Sequence, residues 1–378
     1  MAEKGKRGRA DVLVIGAGPA GCAAGIAAAR AGASVTVLDR AVFPDHKICG
    51  DAISNKGARL VGELCGNAVT GLPHARVEGA AVVFPDGSRI GRSYGTDPGY
   101  IVPRRRLDAA LREALEGSGA KLRQGARVRR LELAGGRVCG AETDSGSFAA
   151  DAVIAADGYG SVAFGALGIP RRRGVHVAFG VTAYFEGVRS EGFEGVSAHY
   201  LEADLPYGYA WIFPEVEGLA NVGVFQRSDQ LRKGGVRLKD LLGRFVSRRR
   251  ERFDGARMVG RMRARPLPLC VEAVRHTVPG LLVAGDAAHA VDPFTGEGIW
   301  QALRTGLLAG EACMDLEAVR RYESMVEREI VAPSASRSRI QAGVQAVVSL
   351  RLYRLGLARK AIEWAYRRGS TEITKVVE

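Results

Sequence analysis

The sequence predicts a mixed α/β and α+β fold: a discontinuous Rossmann-like dinucleotide-binding domain, an antiparallel-sheet domain and a helical C-terminus. Three observations predict it. The apolar run "DVLVI" at 11–15 leads directly into the glycine-rich turn "GAGPAG". A second strand-loop-helix pattern, "LLVAGDAAHAVDPFTGEGIWQALRTG", returns at 281–306. Between them, "VHVAFGVTAYF", "YGYAWIFP" and "LANVGVFQ" read as strands separated by turn signals.

The first unit reads as β-α-β. "DVLVI" has the look of a buried parallel strand, "CAAGIAAARAGA" of an Ala-rich helix, and "SVTVLD" of a second strand ending at Asp39. Gly16, Gly18 and Gly21 stand at G-x-G-x-x-G spacing. The first permits a tight turn, the second lets the backbone approach a pyrophosphate, and the third lets helix and strand pack closely. Asp39 stands where a carboxylate accepts from a ribose 2′-OH. At the far end Asp286 closes the strand "LLVAGD", placed to accept from a ribityl hydroxyl. The loop Pro293 to Gly298 feeds a helix N-terminus, whose amides and dipole favour negative charge on a reduced flavin.

Composition excludes several classes. The formal charge of +13 on 378 residues raises nucleic acid or an anionic membrane as partners. Only 9 of the 54 basic residues are Lys, however, an Arg-rich skew that a GC-rich genome produces, and no basic-aromatic strip accompanies it. No nucleic-acid partner is expected. Cys22, Cys49, Cys65, Cys139, Cys270 and Cys313 form no C-x-x-C pair, so neither a metal site nor a disulfide framework is expected. "MAEKGKRGRA" lacks an apolar h-region, and no run of about 18 apolar residues exists. A cytoplasmic protein is expected.

With "AADGYGS" at 155–161 and Gly285-Asp286, the chain resembles the flavoprotein superfamily of para-hydroxybenzoate hydroxylase, which implies FAD. Within it, the chain is similar to the geranylgeranyl reductase family. Lys47-x-Cys49-Gly50-Asp51, "YAWIFPEVEGLANVG" at 209–223 and "PFTGEGI" at 293–299 carry that resemblance. One departure is that the strand after Phe213-Pro214, where the family carries Gly-x-Gly, reads Asn221-Val222-Gly223-Val224-Phe225. The resemblance implies cofactor contacts from Gly16, Ala17, Gly18, Ala20 and Gly21, then from Asp39 and Arg40. It adds Cys49, Gly50, Arg104, Val128, Asp157 and Gly158, and in the last segment Gly285, Asp286, Pro293, Gly296, Gly298 and Ile299.

Alternation places Tyr209, Trp211 and Phe213 on one strand face, ended by Pro214. By resemblance these four line a substrate cavity suited to an apolar or prenyl chain. The loop with Cys49 would cross the flavin ring, making Cys49 the candidate catalytic residue and proton donor, with Tyr209 and an ordered water as alternatives. The activity implied is reduction of C=C bonds in a prenyl or other apolar polyene substrate. No second dinucleotide fingerprint is present, so the reductant is NAD(P)H bound transiently or a ferredoxin-like donor.

The competing reading is a flavin monooxygenase or halogenase acting on an apolar or aromatic metabolite. Y-A-W-I-F-P in place of W-x-W-x-I-P argues against a halogenase, and the reductase-like 293–299 loop against a hydroxylase. A flavoprotein that only binds FAD is the third class.

These motifs divide the chain. Residues 10–75, 100–170 and 265–320 read as the FAD domain, 76–99 and 171–264 as the substrate domain, and 321–378 as C-terminal helices. "LKDLLGRFVSRRRERF" reads as one helix on the edge of a large antiparallel sheet. In the tail, Leu350, Leu352, Leu355, Leu357, Ile362, Trp364 and Tyr366 alternate with Arg351, Arg354, Arg359, Lys360, Arg367 and Arg368. This basic amphipathic pattern fits either packing on the substrate domain or peripheral contact with the inner membrane face.

Overall fold

Both faces of "DVLVI" are apolar, and the strand it forms, β1 (Arg9–Ile15), runs through the middle of the first sheet. Val12 and Val14 enter one buried cluster, Leu13 and Ile15 another on the opposite face. The chain continues through α1 (Pro19–Arg30), β2 (Val35–Leu38), β3 (Ala52–Ile53), α2 (Asn55–Cys65) and β4 (Ala75–Val77). Next come β5 (Gly79–Val83), β6 (Arg89–Ser93), β7 (Gly99–Ile101), α3 (Arg104–Gly117), β8 (Lys121–Arg123), β9 (Val128–Ala134), β10 (Arg137–Thr143) and β11 (Gly146–Ala155). The computed structural model describes residues 9–369 apart from 46, 67–68, 170–171 and 191. His46 and the side chains of Arg359, Tyr366, Arg367 and Arg368 lie outside the described residues.

The first sheet is parallel where the nucleotide unit needs it. β1 lies between β2 and β11, with Val12 beside Val35 on one side and Ala152 on the other. β8 extends it beyond β2, and β9 and β10 hang antiparallel from β11. After α4 (Ala163–Leu167) the chain builds the second sheet from β12 (Val177–Glu186), β13 (Val196–Tyr200), β14 (Gly208–Pro214) and β15 (Leu219–Arg227). Three helices follow, α5 (Ser228–Gly234), α6 (Leu238–Arg248) and α7 (Arg250–Phe253), then β16 (Arg257–Pro268). β17 (Thr277–Val278) and β18 (Leu281–Val283) return to the first sheet. α8 (Ile299–Ala312), α9 (Leu316–Val326), α10 (Ala332–Ser349) and α11 (Gly356–Gly369) end the chain.

The second sheet has the order β16-β12-β15-β14-β13-β5-β6. It differs from a purely antiparallel expectation at one joint, where β13 runs parallel to β5. The reason is connectivity: β5 and β6 come from the early segment and are not joined to β13 by a hairpin. The sheet also keeps β16 up to Pro268, past the expected boundary at 265, because Val177 pairs with Pro268.

The helix expected over 238–253 is two helices, broken at Arg249 (φ −109°, ψ 40°). It covers the sheet's face rather than its edge. Leu241, Leu242 and Phe245 bury themselves against Val181, Val222 and Val224 of the central strands. The other face of the same strands is left to line a cavity.

Candidate active site

A cavity of about 990 Å³ is bounded by the turn after β1, the loop 38–50, and the free face of the second sheet. At one end Gly16 and Gly18 line the wall and leave no space for a side chain of their own. Gly16 has φ +98°, and a Cβ there would meet Ala156 O at 2.5 Å. A Cβ on Gly18 would meet Lys47 Nζ at 3.0 Å. Asp39 accepts from Ala17 N (2.6 Å) and Ala41 N (2.8 Å), so it braces the turn as well as facing the cavity. Ala20, Arg40, Val128, Asp157 and Gly158 share this wall, as do Gly296, Gly298 and Ile299. Asp286 lies there too, paired with Arg265 at 3.0 Å.

Five expected contacts are not on the wall. Gly21 serves packing, since a Cβ there would lie 1.7 Å from Gly16 O, and Gly285 does the same against Ala20 at 2.8 Å. Ala17 and Pro293 are also off the wall. Pro214 is the last residue of β14, one position past Phe213, and strand alternation turns it away from the cavity.

Cys49, Gly50 and Arg104 come together. Arg104 is buried, donates through Nε to Asp108 (2.7 Å), and hydrogen-bonds the Cys49 sulfur. Burial pushes the Cys49 thiol up, the Asp51 charge adds to that, and Arg104 works against it. Asp51 follows at φ +63°, an uncommon conformation for a residue with a side chain. It is fully buried and held by Tyr184 Oη (2.5 Å), Asn221 Nδ2 (2.7 Å) and Arg104 N (3.0 Å). Burial raises its carboxyl to about 6 despite these donors. Glu215 nearby is raised to about 8, by burial first and by Asp51 second.

Tyr209, Trp211 and Phe213 line the cavity, while Ala210 and Ile212 between them face the α6 side. Asn221 on β15 fixes this arrangement. Its Oδ1 accepts from Trp211 Nε1 (3.0 Å) and Thr182 Oγ1 (2.6 Å). Its Nδ2 donates to Cys49 O (2.9 Å) as well as to Asp51. Phe225 packs on Tyr209 at 5.4 Å between centroids and covers Gly296. The far end is closed by His199 and Leu201, and by Val344 of α10 and Ile362 of α11.

Asp51, Asn221, Glu297, Val344 and Ile362 were not among the residues expected to build the site. Asp51 and Glu297 stand inside quoted motifs. Asn221 shows only as a departure from the family pattern, and the two C-terminal residues carry no local signal.

Two family descriptions match the chain: "FAD dependent oxidoreductase" over residues 11–177, and "Geranylgeranyl reductase catalytic domain" over 194–264. A menaquinone reductase of Mycolicibacterium smegmatis is 34% identical over 322 residues, 80% of this chain and 76% of the relative. Digeranylgeranylglycerophospholipid reductase 1 of Methanopyrus kandleri is 32% identical over 84% of this chain and 86% of its own length. The chain belongs to the geranylgeranyl reductase family of FAD-dependent oxidoreductases. A geranylgeranyl bacteriochlorophyll reductase-like protein from Thermoplasma acidophilum shares the fold, with TM-score 0.81, 22% identity and coverage of 97% and 98%. The flavin-dependent brominase Bmp2, as a triple mutant, also shares it (TM-score 0.76, 18% identity, 94% of each chain). At that identity the likeness to Bmp2 is one of fold.

The residues present fit the cofactor of this reductase family. Asp157 Oδ1 is buried with no hydrogen-bond partner, and the residue lines the cavity. Buried polar atoms of this kind call for a ligand or water. The side-chain-free cradle at Gly16 and Gly18 suits a pyrophosphate, and Asp157 and Asp286 bring carboxylate acceptors to the same wall. The N-terminus of α8 suits an electron-rich ring edge.

Proposed function

We propose that this protein reduces carbon–carbon double bonds in the prenyl chain of a lipid or quinone. Reducing equivalents would come from NAD(P)H or a ferredoxin-like donor. The observation that carries this reading is the continuity of the cavity from Gly16 and Gly18 to the aromatic face of β14 and on to Val344 and Ile362. Bound FAD supplies the hydride in such a reduction. The chain's own work is positional. The cradle and Asp39 seat the cofactor, and Cys49 and Gly50 border its ring. Tyr209, Trp211, Phe213 and Phe225 exclude water and hold an apolar chain.

The test is anaerobic incubation of the dithionite-reduced holoprotein with menaquinones and geranylgeranyl lipids, followed by mass spectrometry. Gain of two hydrogens per double bond is expected. Oxygen or halide insertion in air, with no anaerobic saturation, would move the protein to the oxygenase reading. Cys49→Ser, which changes the sulfur that Arg104 holds at the cavity wall, is expected to keep FAD bound and lower turnover about tenfold; unchanged turnover would make Cys49 a filler of space.

Peripheral membrane contact is part of the same reading. No helix among the described residues is long and apolar enough to cross a membrane. Leu350, Leu355, Leu357 and Trp364 are exposed on the same C-terminal segment as Ile362, which lines the cavity, and Arg351, Arg354 and Lys360 of that segment are exposed too. Such a surface suits an anionic lipid headgroup layer. Co-flotation with anionic liposomes that fades at high salt is expected, and no co-flotation at moderate salt would remove the idea.

A further inference from the structure

Saturating a double bond requires a proton as well as a hydride, and the cavity offers three side chains for it. Tyr209 Oη already donates to Thr295 O. The Cys49 sulfur is turned toward donors, the Arg104 guanidinium and the Asp51 N–H, which is the setting of an acceptor. Glu297 differs from both.

Its backbone is fixed by a tight turn, with Asp292 N donating to Glu297 O (2.9 Å) and Glu297 N donating to Thr295 Oγ1 (3.2 Å). Its carboxyl accepts from Ser54, yet Oε1 is buried on the cavity wall with no partner. The residue stands two positions before Ile299, the first residue of α8. The groups acting on it are Asp292 from its own loop, Arg337 from α10 and Lys56 from α2; it acts in turn on Tyr94, just after β6, and Tyr209 of β14. Burial pushes its carboxyl up, with Asp292 assisting and Ser54, Arg337 and Lys56 opposing.

We propose that Glu297 is the proton donor of the reduction. This rests on the alkene-reductase reading above. The π electrons of the substrate form a C–H bond to the Glu297 proton at one carbon, while the other carbon receives the hydride. The oxidised product of the exchange is the cofactor, and Glu297 is left as a carboxylate facing Arg337 and Lys56 until solvent returns a proton.

The test is Glu297→Gln, which keeps shape and removes the acid. FAD content and anaerobic reduction by dithionite should match the wild type, and turnover should fall about 100-fold or more. In infrared difference spectra of the holoprotein between acidic and alkaline pH, one protonated-carboxyl C=O component that outlasts the ordinary carboxylate range should be lost in Glu297→Gln, while those of Asp51 and Glu215 stay. Wild-type turnover with the variant within about threefold overturns the inference alone, as does a variant spectrum that loses no such component. A wild-type protein that saturates no prenyl substrate overturns the function reading and this inference together.

Discussion

Asn221→Leu is expected to cost about 3–5 kcal/mol of stability, read by urea denaturation, and to release the loop carrying Cys49. Leucine has nearly the same shape but makes none of the four hydrogen bonds that Asn221 distributes over β12, β14 and the 49–51 loop. Three of the abandoned partners, Thr182, Trp211 and Asp51, are buried. A buried donor or acceptor left alone costs its full desolvation, which is why the loss exceeds that of an ordinary surface hydrogen bond. The Asp51 carboxylate loses one of its three donors, so its proton should be held to higher pH than about 6. Retained FAD with an altered flavin absorbance, together with faster thiol labelling of Cys49, would show the loop has moved. A stability change under about 1 kcal/mol would mean the network does not hold the two domains' contact.

How much of this was readable beforehand depends on the distance over which each feature is built. The turn at Gly16, Gly18 and Gly21 is local, since one strand, one turn and one helix contain its physics. The aromatic face of β14 is likewise local, because period-two alternation alone separates Tyr209, Trp211 and Phe213 from Ala210 and Ile212. Asn221 is legible only when Thr182 and Asp51, distant in sequence, and Trp211 of the neighbouring strand are brought to one point. The helix over 238–253 was visible by periodicity, but its seat on the sheet's face depends on which face the aromatics leave uncovered. Val344 and Ile362 illustrate the same limit. Their apolar positions suit any packed helix, and only the fold turns them toward the cavity.

Gly306→Ala is expected to damage cofactor binding from a position outside the cavity wall. α8 packs on α1 almost backbone to backbone: a Cβ on Gly306 would lie 2.1 Å from Ala20 O, and one on Gly310 2.3 Å from Ala24 O. Carbon and oxygen do not approach that closely, so α1 must retreat by roughly 1 Å or more for a single added methyl group. Its N-terminal end carries Pro19 and Ala20, both on the cavity wall beside Gly18. The retreat therefore widens the cradle where the pyrophosphate would sit. Over-packing of this kind costs about 1–3 kcal/mol, and a similar share lost from binding would weaken FAD about tenfold or more. Gly343→Ala on α10 is the control, because a Cβ there meets nothing within 4 Å and alanine favours a helix. Equal FAD affinity in the two variants, measured by fluorescence titration of the apoprotein, would show that α1 tolerates the methyl group without moving the cradle.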